Sequence, residues 1–321
     1  MIMQSLPQKD SISVDIPLQS IFDAASQQGI EINRLTGAFF IAAGFILLVV
    51  TGLTAYILYR FRTGRAPAAT RSPAGSWEVA MIGIPFLMVG GFLYYSIHTM
   101  QRVLPDAAGR TPDVIITAHQ WWWEARYPGS GAVTANEIHL PVKKRLLLRL
   151  LSADVIHDWW IPAFGNKMDL VPNRENHLWL TIDKPGVYYG ACSEFCGAQH
   201  AGMRLVVVVQ PQEAFDKWQA HHAAPASPEA AALPGAALFM EQTCADCHRI
   251  AGTAANGTTG PDLTHVAGRQ TLLTGLIRND RAHLEAFLRN PQERKPGIYM
   301  PYLHLADSTV KALTAYLSQL E

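Results

Sequence analysis

The sequence predicts a multi-domain chain: a two-helix transmembrane hairpin, an all-β sandwich, then an all-α domain. Three observations carry this prediction. Apolar residues concentrate between Leu35 and Met100. Runs of β-branched and aromatic residues, broken by turn residues, fill the stretch from Arg102 to Trp218. Helical patterns take over after an Ala/Pro-rich segment. With 321 residues the chain has room for two or three domains, and its formal net charge of zero gives a nucleic-acid partner no support.

The hairpin is expected over 35–101. Its first run, Leu35 to Tyr59, is apolar and uncharged, and as a helix it exceeds the ~30 Å hydrocarbon core. The second run, Val79 to Ile97, is also uncharged, so spans are placed at about 35–59 and 79–100. Pro85 is tolerable there because neighbouring groups in a membrane bundle satisfy the freed carbonyl. Between the runs stand Arg60, Arg62, Arg65 and Arg71, with no acid before Glu78. That asymmetry puts the loop in the cytoplasm, and puts the tail 1–34 and everything after Met100 outside. The tail carries Asp10, Asp15, Asp23 and Glu31 against Lys9 and Arg34, and no cleavable signal is expected at Met1. Glu78 reads from composition alone as an interfacial carboxylate.

The β domain is placed at 102–219, with strands at Val114–Thr117, Arg145–Ser152, His177–Ile182, Val187–Ala191 and Arg204–Gln210. No comparable helical period is read in this stretch. Residues 220–233 are expected to be a linker, with His221 and His222 as solvated linker histidines rather than metal ligands. The domain 234–321 is expected to be helical. Pro234-Gly235 opens one helix, Arg281 to Asn290 forms another, and Asp307 or Ser308 caps a third that presents Val310, Leu313, Tyr316 and Leu317.

The four cysteines fall in two close pairs, each inside a larger ligand pattern, which argues against two disulfides. In the first, Cys192, Cys196, His200 and Met203 share one short loop before a strand. Thiolate, imidazole and thioether together select soft or borderline metals, copper above all. One cysteine with His and Met would suit a single copper; two thiolates can bridge two. A second terminal imidazole must then come from elsewhere, and His157, just beyond the strand Arg145–Ser152, is the best candidate.

In the second pattern, Cys244-Ala-Asp-Cys247-His248 is a c-type haem attachment motif, with two thiols for the vinyl groups and a histidine for the iron. A redox dithiol or half a zinc site leaves His248 unexplained. Among Met203, Met240 and Met300, the last is preferred as the second axial ligand, ahead of His265, His283 and His304.

These motifs resemble cytochrome c oxidase subunit II over about Thr36 to Gln210, followed by a class I cytochrome c. The resemblance implies a cupredoxin-like sandwich with a binuclear copper centre (two Cu ions) bridged by Cys192 and Cys196. His157 and His200 would be terminal ligands, Met203 a weak axial one, and the Glu194 carbonyl would complete the second copper. Glu194 also fits the family's magnesium ligand at the subunit I interface. His119-Gln120-Trp121-Trp122-Trp123 is similar to the family's aromatic patch, with Trp121 where electrons enter and Trp122 in place of the usual tyrosine. Glu78 matches the acid at the mouth of a proton pathway. Gly297-Ile-Tyr-Met300-Pro301 resembles the Met-Pro ligand loop of class I cytochromes c, and Gly260-Pro261-Asp262-Leu263 their loop against the haem edge.

The resemblance implies an electron-transfer subunit of a terminal oxidase in the bacterial plasma (inner) membrane, with its copper and covalent haem c domains on the periplasmic face. Implied partners are subunit I, where oxygen is reduced to water, subunit III, membrane lipid, and an external donor such as a cytochrome c or a quinol–cytochrome c reductase. A copper-containing nitric oxide reductase is the nearest alternative. A quinol oxidase subunit would lack the copper ligands, and a copper-storage protein would have no use for a haem.

Overall fold

The computed structural model describes residues 19–62, 75–104 and 109–321. Lys9, Asp10, Asp15, Arg65 and Arg71, invoked above for topology, lie outside the described residues. The described chain forms two bodies: the helical segment between 30 and 105, and residues up to 29 together with those after 105.

The helical body contains α1 (Gln27–Phe61) from Ile30 onward, and α2 (Ser76–Val103). Both helices are long and apolar enough to cross a membrane, and neither buries its apolar stretch inside the chain. At 1.5 Å per residue they run roughly 50 and 40 Å, longer than the ~30 Å hydrocarbon core requires. Phe39 and Phe92 meet at 5.9 Å, and Arg102 lies 3.7 Å from Glu31. Pro85 lies inside α2, and Glu78 is exposed in its first turn.

Helix α1 starts at Gln27 rather than Leu35 because Ser26 caps it. The Ser26 hydroxyl accepts from Gly29 N at 2.9 Å, satisfying one orphan donor of the first turn, and donates to Phe164 O at 2.7 Å. Gln28 adds a bond from Thr181 N to its side-chain oxygen at 3.0 Å. The tail therefore enters the second body as ordered backbone before the helix begins.

The second body opens with ten strands: β1 (Val114–His119), β2 (Trp122–Arg126), β3 (Val133–Ala135), β4 (Glu137–Pro141), β5 (Arg145–Ser152), β6 (His157–Trp160), β7 (Lys167–Leu170), β8 (Asn176–Thr181), β9 (Gly186–Cys192) and β10 (Arg204–Gln210). They form two five-stranded sheets, ordered β3-β2-β1-β5-β8 and β4-β10-β9-β6-β7. Pairs β1–β5 and β10–β4 are parallel, and the other pairs are antiparallel. Inward residues such as Ile116, Trp123, Leu148, Ile138, Trp159 and Val207 fill the core. All three tryptophans of the aromatic patch are buried, Trp123 completely, with its ring edge-on to Trp159 at 5.8 Å.

A helix closes the β domain where none was expected. Helix α3 (Gln212–His222) places Phe215, Trp218 and His222 on one stripe by i, i+3, i+7 spacing, too few apolar residues to stand out in the sequence. Phe215 enters the sandwich core, and Trp218 stacks on His139 at 4.2 Å. His222 is not a solvated linker residue: it stacks on Trp218 at 4.2 Å and lies 4.7 Å from His265. Burial, then the neighbouring His265, drive its pKa down to about 3. His221 remains exposed.

Beyond α3 the chain continues through α4 (Pro228–Ala231), α5 (Pro234–Glu241), α6 (Cys244–Cys247), a short hairpin of β11 (Thr271–Leu272) and β12 (Ile277–Arg278), α7 (Arg281–Arg289), α8 (Pro291–Arg294) and α9 (Asp307–Leu317). The expected linker is packed rather than loose. Ala226 N donates to Ala251 O at 2.9 Å, Ser227 caps α4, and Ala230 is buried in the helical core. Helices α5 and α9 pack closely at Gly235, where an added Cβ would collide with Ala312 O and Tyr316. Asp307 does not cap α9. Ala306 holds the capping position, and the Asp307 carboxylate pairs with Arg289 instead.

Candidate functional site

Two strands and a loop bring the first donor set together. Strand β6 starts at His157, β9 ends at Cys192, and β10 follows the loop through Cys196, His200 and Met203. Trp159 pairs with Cys192 across β6 and β9, and Cys192 N donates to Met203 O at 2.9 Å, closing the loop at its base.

On that frame the Sγ atoms of Cys192 and Cys196 stand 3.8 Å apart, and both cysteines are free. His157 Nδ1 is 3.8 Å from Cys192 Sγ, and His200 Nδ1 is 3.6 Å from Cys196 Sγ. Met203 Sδ is 3.8 Å from Cys196 Sγ, and Glu194 O is 3.2 Å from Cys192 Sγ. Ligand atoms of His157, Cys192 and Cys196 lie within 4.8 Å of one another, in a buried group suited to a metal. Hydrogen bonding from Cys196 holds the Cys192 thiol well below the usual range, and the same contact with burial pushes Cys196 up. The donor set of two thiols, two imidazoles, a thioether and a carbonyl therefore fits copper.

Three supporting residues were missed in the sequence. Asp154 Oδ1 lies 2.8 Å from His157 Nε2, which turns Nδ1 toward the sulfurs. Burial opposes the Asp154 charge, but hydrogen bonds from His157, Val155 N and Gln120 N outweigh it and hold its pKa below the ordinary value. Gln120 Nε2 and Trp121 Nε1 both donate to Cys196 O, at 2.8 and 2.9 Å. Gln292 Nε2 donates to Ile298 O and Met300 O at 2.8 and 2.7 Å, fastening the methionine loop. An aspartate three residues before a histidine was the one visible signal for Asp154; Gln120 and Gln292 offered none that distinguishes a clamp from a surface amide.

The second constellation stands on α6. Cys244 and Cys247 are reduced, one turn apart, with Cys247 exposed. His248 Nδ1 lies 2.8 Å from Pro261 O, leaving Nε2 for an axial bond. Burial lowers the His248 pKa, which favours the neutral, ligating imidazole. Gly260 leaves room for that ring, since a Cβ there would sit 2.6 Å from His248 Cε1. Two free thiols beside a histidine with one nitrogen committed fit covalent haem. Met300 is half-buried in the loop between α8 and α9. The Glu194 side chain is exposed beside the first site.

A cupredoxin-type sandwich with a sulfur–imidazole cluster, followed by a helical domain with a haem-attachment turn, defines an electron-transport protein with two candidate membrane helices. Comparison with known proteins narrows the class. The family model for the cytochrome c oxidase subunit II periplasmic domain matches residues 130–210, and the cytochrome c model matches residues 232–321. Cytochrome c oxidase subunit 2 of Alkalihalophilus pseudofirmus is 34% identical over 220 residues, covering 68% of this chain and 64% of that protein. The Bacillus subtilis subunit 2 is 29% identical over 291 residues, covering 83% of this chain and 82% of that one. The solved periplasmic domain of cytochrome oxidase subunit II from Bradyrhizobium japonicum is 32% identical, with a TM-score of 0.34, over 35% of this chain and 95% of that one. The chain belongs to the cytochrome c oxidase subunit II family, with a cytochrome c domain behind its periplasmic domain.

Proposed function

We propose that the chain is the electron-transfer subunit of a respiratory terminal oxidase. Electrons pass from an external donor, a cytochrome c or a quinol–cytochrome c reductase, to haem c, then to a binuclear copper centre, then to subunit I. Oxygen is reduced to water there, coupled to proton translocation. Domain limits of 102–219 and 234–321, a hairpin over 35–101 and a periplasmic placement of both redox domains at a bacterial inner membrane belong to this reading. So do subunit III as a neighbour, Glu78 at a proton pathway and Glu194 as a magnesium ligand.

One observation carries it: two free thiols, two imidazoles and a thioether converge, each within 3.8 Å of a sulfur. Cys192 and Cys196 would bridge the metals, His157 and His200 would bind by Nδ1, and Met203 and the Glu194 carbonyl would complete the sites. Cys244, Cys247, His248 and Met300 would hold the haem. Bound copper supplies a one-electron couple shared over two ions. The chain's part is to hold its ligands still: β6, β9 and β10 fix them, Asp154 orients His157, and the buried Trp123 and Trp159 exclude water. No bond need form or break in this chain.

Electron paramagnetic resonance on the copper-loaded, haem-attached chain tests the reading. Hyperfine structure spread over two equivalent coppers, lost in Cys196→Ser, is expected. A single-copper pattern would overturn it.

A further inference from the structure

In a subunit that receives electrons through Trp121 from a separate protein, that indole would have to be reachable. Here it is 7% exposed. It sits in the sandwich core beside Gly197, and the chain's own cytochrome domain adds to its cover. Lys295 Nζ donates to Trp121 O at 3.1 Å, and Gln199 Nε2 donates to Pro296 O at 2.5 Å. An added Cβ on Gly297 would lie 3.5 Å from Ala198 Cβ, so the two backbones run close together. Thr274 Oγ1 donates to Gly202 O at 2.5 Å. The segment 295–299 lies on the loop that carries Cys196 and His200.

Tyr299 stands at the centre of this contact and directly precedes Met300. Its ring stacks on Trp121 with centroids 5.4 Å apart and planes inclined by 25°. Its hydroxyl donates to Gln120 Oε1 at 2.7 Å. Trp121 and Gln120 in turn both donate to Cys196 O. Two short routes therefore join Tyr299 to one carbonyl of the sulfur cluster, one through stacked rings and one through an amide. The other face of Tyr299 is open, and the residue is 70% exposed. It belongs to neither core, so its ring and hydroxyl serve the contact rather than the packing of either domain.

We propose that Tyr299 is the positioning residue that docks the haem ligand loop onto Trp121 in cis and bridges the two redox sites. This rests on the functional reading above. One electron leaves a ferrous haem, which becomes ferric, and the copper pair is reduced by one. Tyr299 gains and loses nothing, and no proton moves. An external donor then addresses the cytochrome domain, because Trp121 is already covered.

The test uses the full chain in detergent, haem-attached and copper-loaded. Haem is reduced by a light-triggered reductant, and its reoxidation is followed against the copper absorption. Tyr299→Ala should slow transfer about tenfold or more, the factor expected when about 1.4 kcal/mol of stacking and hydrogen bonding is lost. Tyr299→Phe, which keeps the ring and loses the hydroxyl, should recover most of the rate. Hydrogen exchange on the copper-free chain gives a second readout: amides in 119–123 and 295–300 should exchange faster in Tyr299→Ala and less so in Tyr299→Phe. Normal haem and copper spectra with unchanged transfer and exchange in Tyr299→Ala would overturn the proposal and leave the oxidase reading standing. Absence of haem-to-copper transfer in the unsubstituted chain would overturn both.

Discussion

Replacing Lys295 with methionine should remove the rise of stability with pH that a buried lysine produces at the contact between the two redox domains. Lys295 is 4% exposed, and among the described residues its ammonium hydrogen-bonds to two neutral groups, Trp121 O and the Thr274 hydroxyl. Burial drives its pKa from 10.5 down to about 7. At 1.36 kcal/mol per pH unit that shift corresponds to about 5 kcal/mol. Between pH 7 and 10.5 the unfolded chain binds the proton that the folded chain has released, so stability rises with pH across that window. Below pH 7 both states are protonated and the full cost of burying the charge is present. Methionine removes the charge and gives up two hydrogen bonds worth about 1 kcal/mol each. Thr274 is not orphaned, because its hydroxyl still has Gly202 O. The variant should therefore be more stable by about 3 kcal/mol at pH 6 and less stable by about 1 kcal/mol near pH 10, where the unfolded lysine is still mostly protonated. Urea unfolding of the haem-attached, copper-free chain in detergent, followed by circular dichroism from pH 6 to 10, measures the difference. A variant-minus-parent difference that stays constant with pH would refute the reasoning.

Three further outcomes follow from the geometry. Asp154→Asn keeps the shape but loses the charge that orients His157, so copper affinity should fall about 10–100-fold in chelator competition, and unchanged affinity would remove Asp154 from the site. Trp123→Ala empties a fully buried position beside Trp159 and His157 and should cost about 3–5 kcal/mol in urea unfolding; a loss under about 1 kcal/mol would mean the core is not packed as described. Gly257→Ala would drive a Cβ against the main chain of Asp246 and Cys247, so covalent haem per mole of protein should drop, whereas normal loading would show that the turn can shift.

The sequence by itself determined the order of the parts and the chemistry of both sites. Uncharged apolar runs, Cys192-x3-Cys196-x3-His200-x2-Met203 and Cys244-x2-Cys247-His248 are local patterns, and a ligand loop between strands is legible because its donors are neighbours in the chain. Long strands such as β5 and β10 were legible for the same reason. The short strands β2, β3, β4, β6 and β7 were not, since three to five residues hold too few alternations to register a period. Helix α3 has only three residues on its buried face, and they gain meaning only from the sandwich and from His139 beneath them. Contacts between distant segments needed the tertiary structure altogether: Ser26 with Phe164, Asp154 with Gln120, and above all Tyr299 with Trp121. Nothing in an isolated Gly-Ile-Tyr-Met stretch states which surface it will meet. The segment after α3 packs on the helical core instead of forming a loose tether, and Lys295, Pro296 and Tyr299 make the direct contacts with Trp121 and the loop of Cys196 and His200.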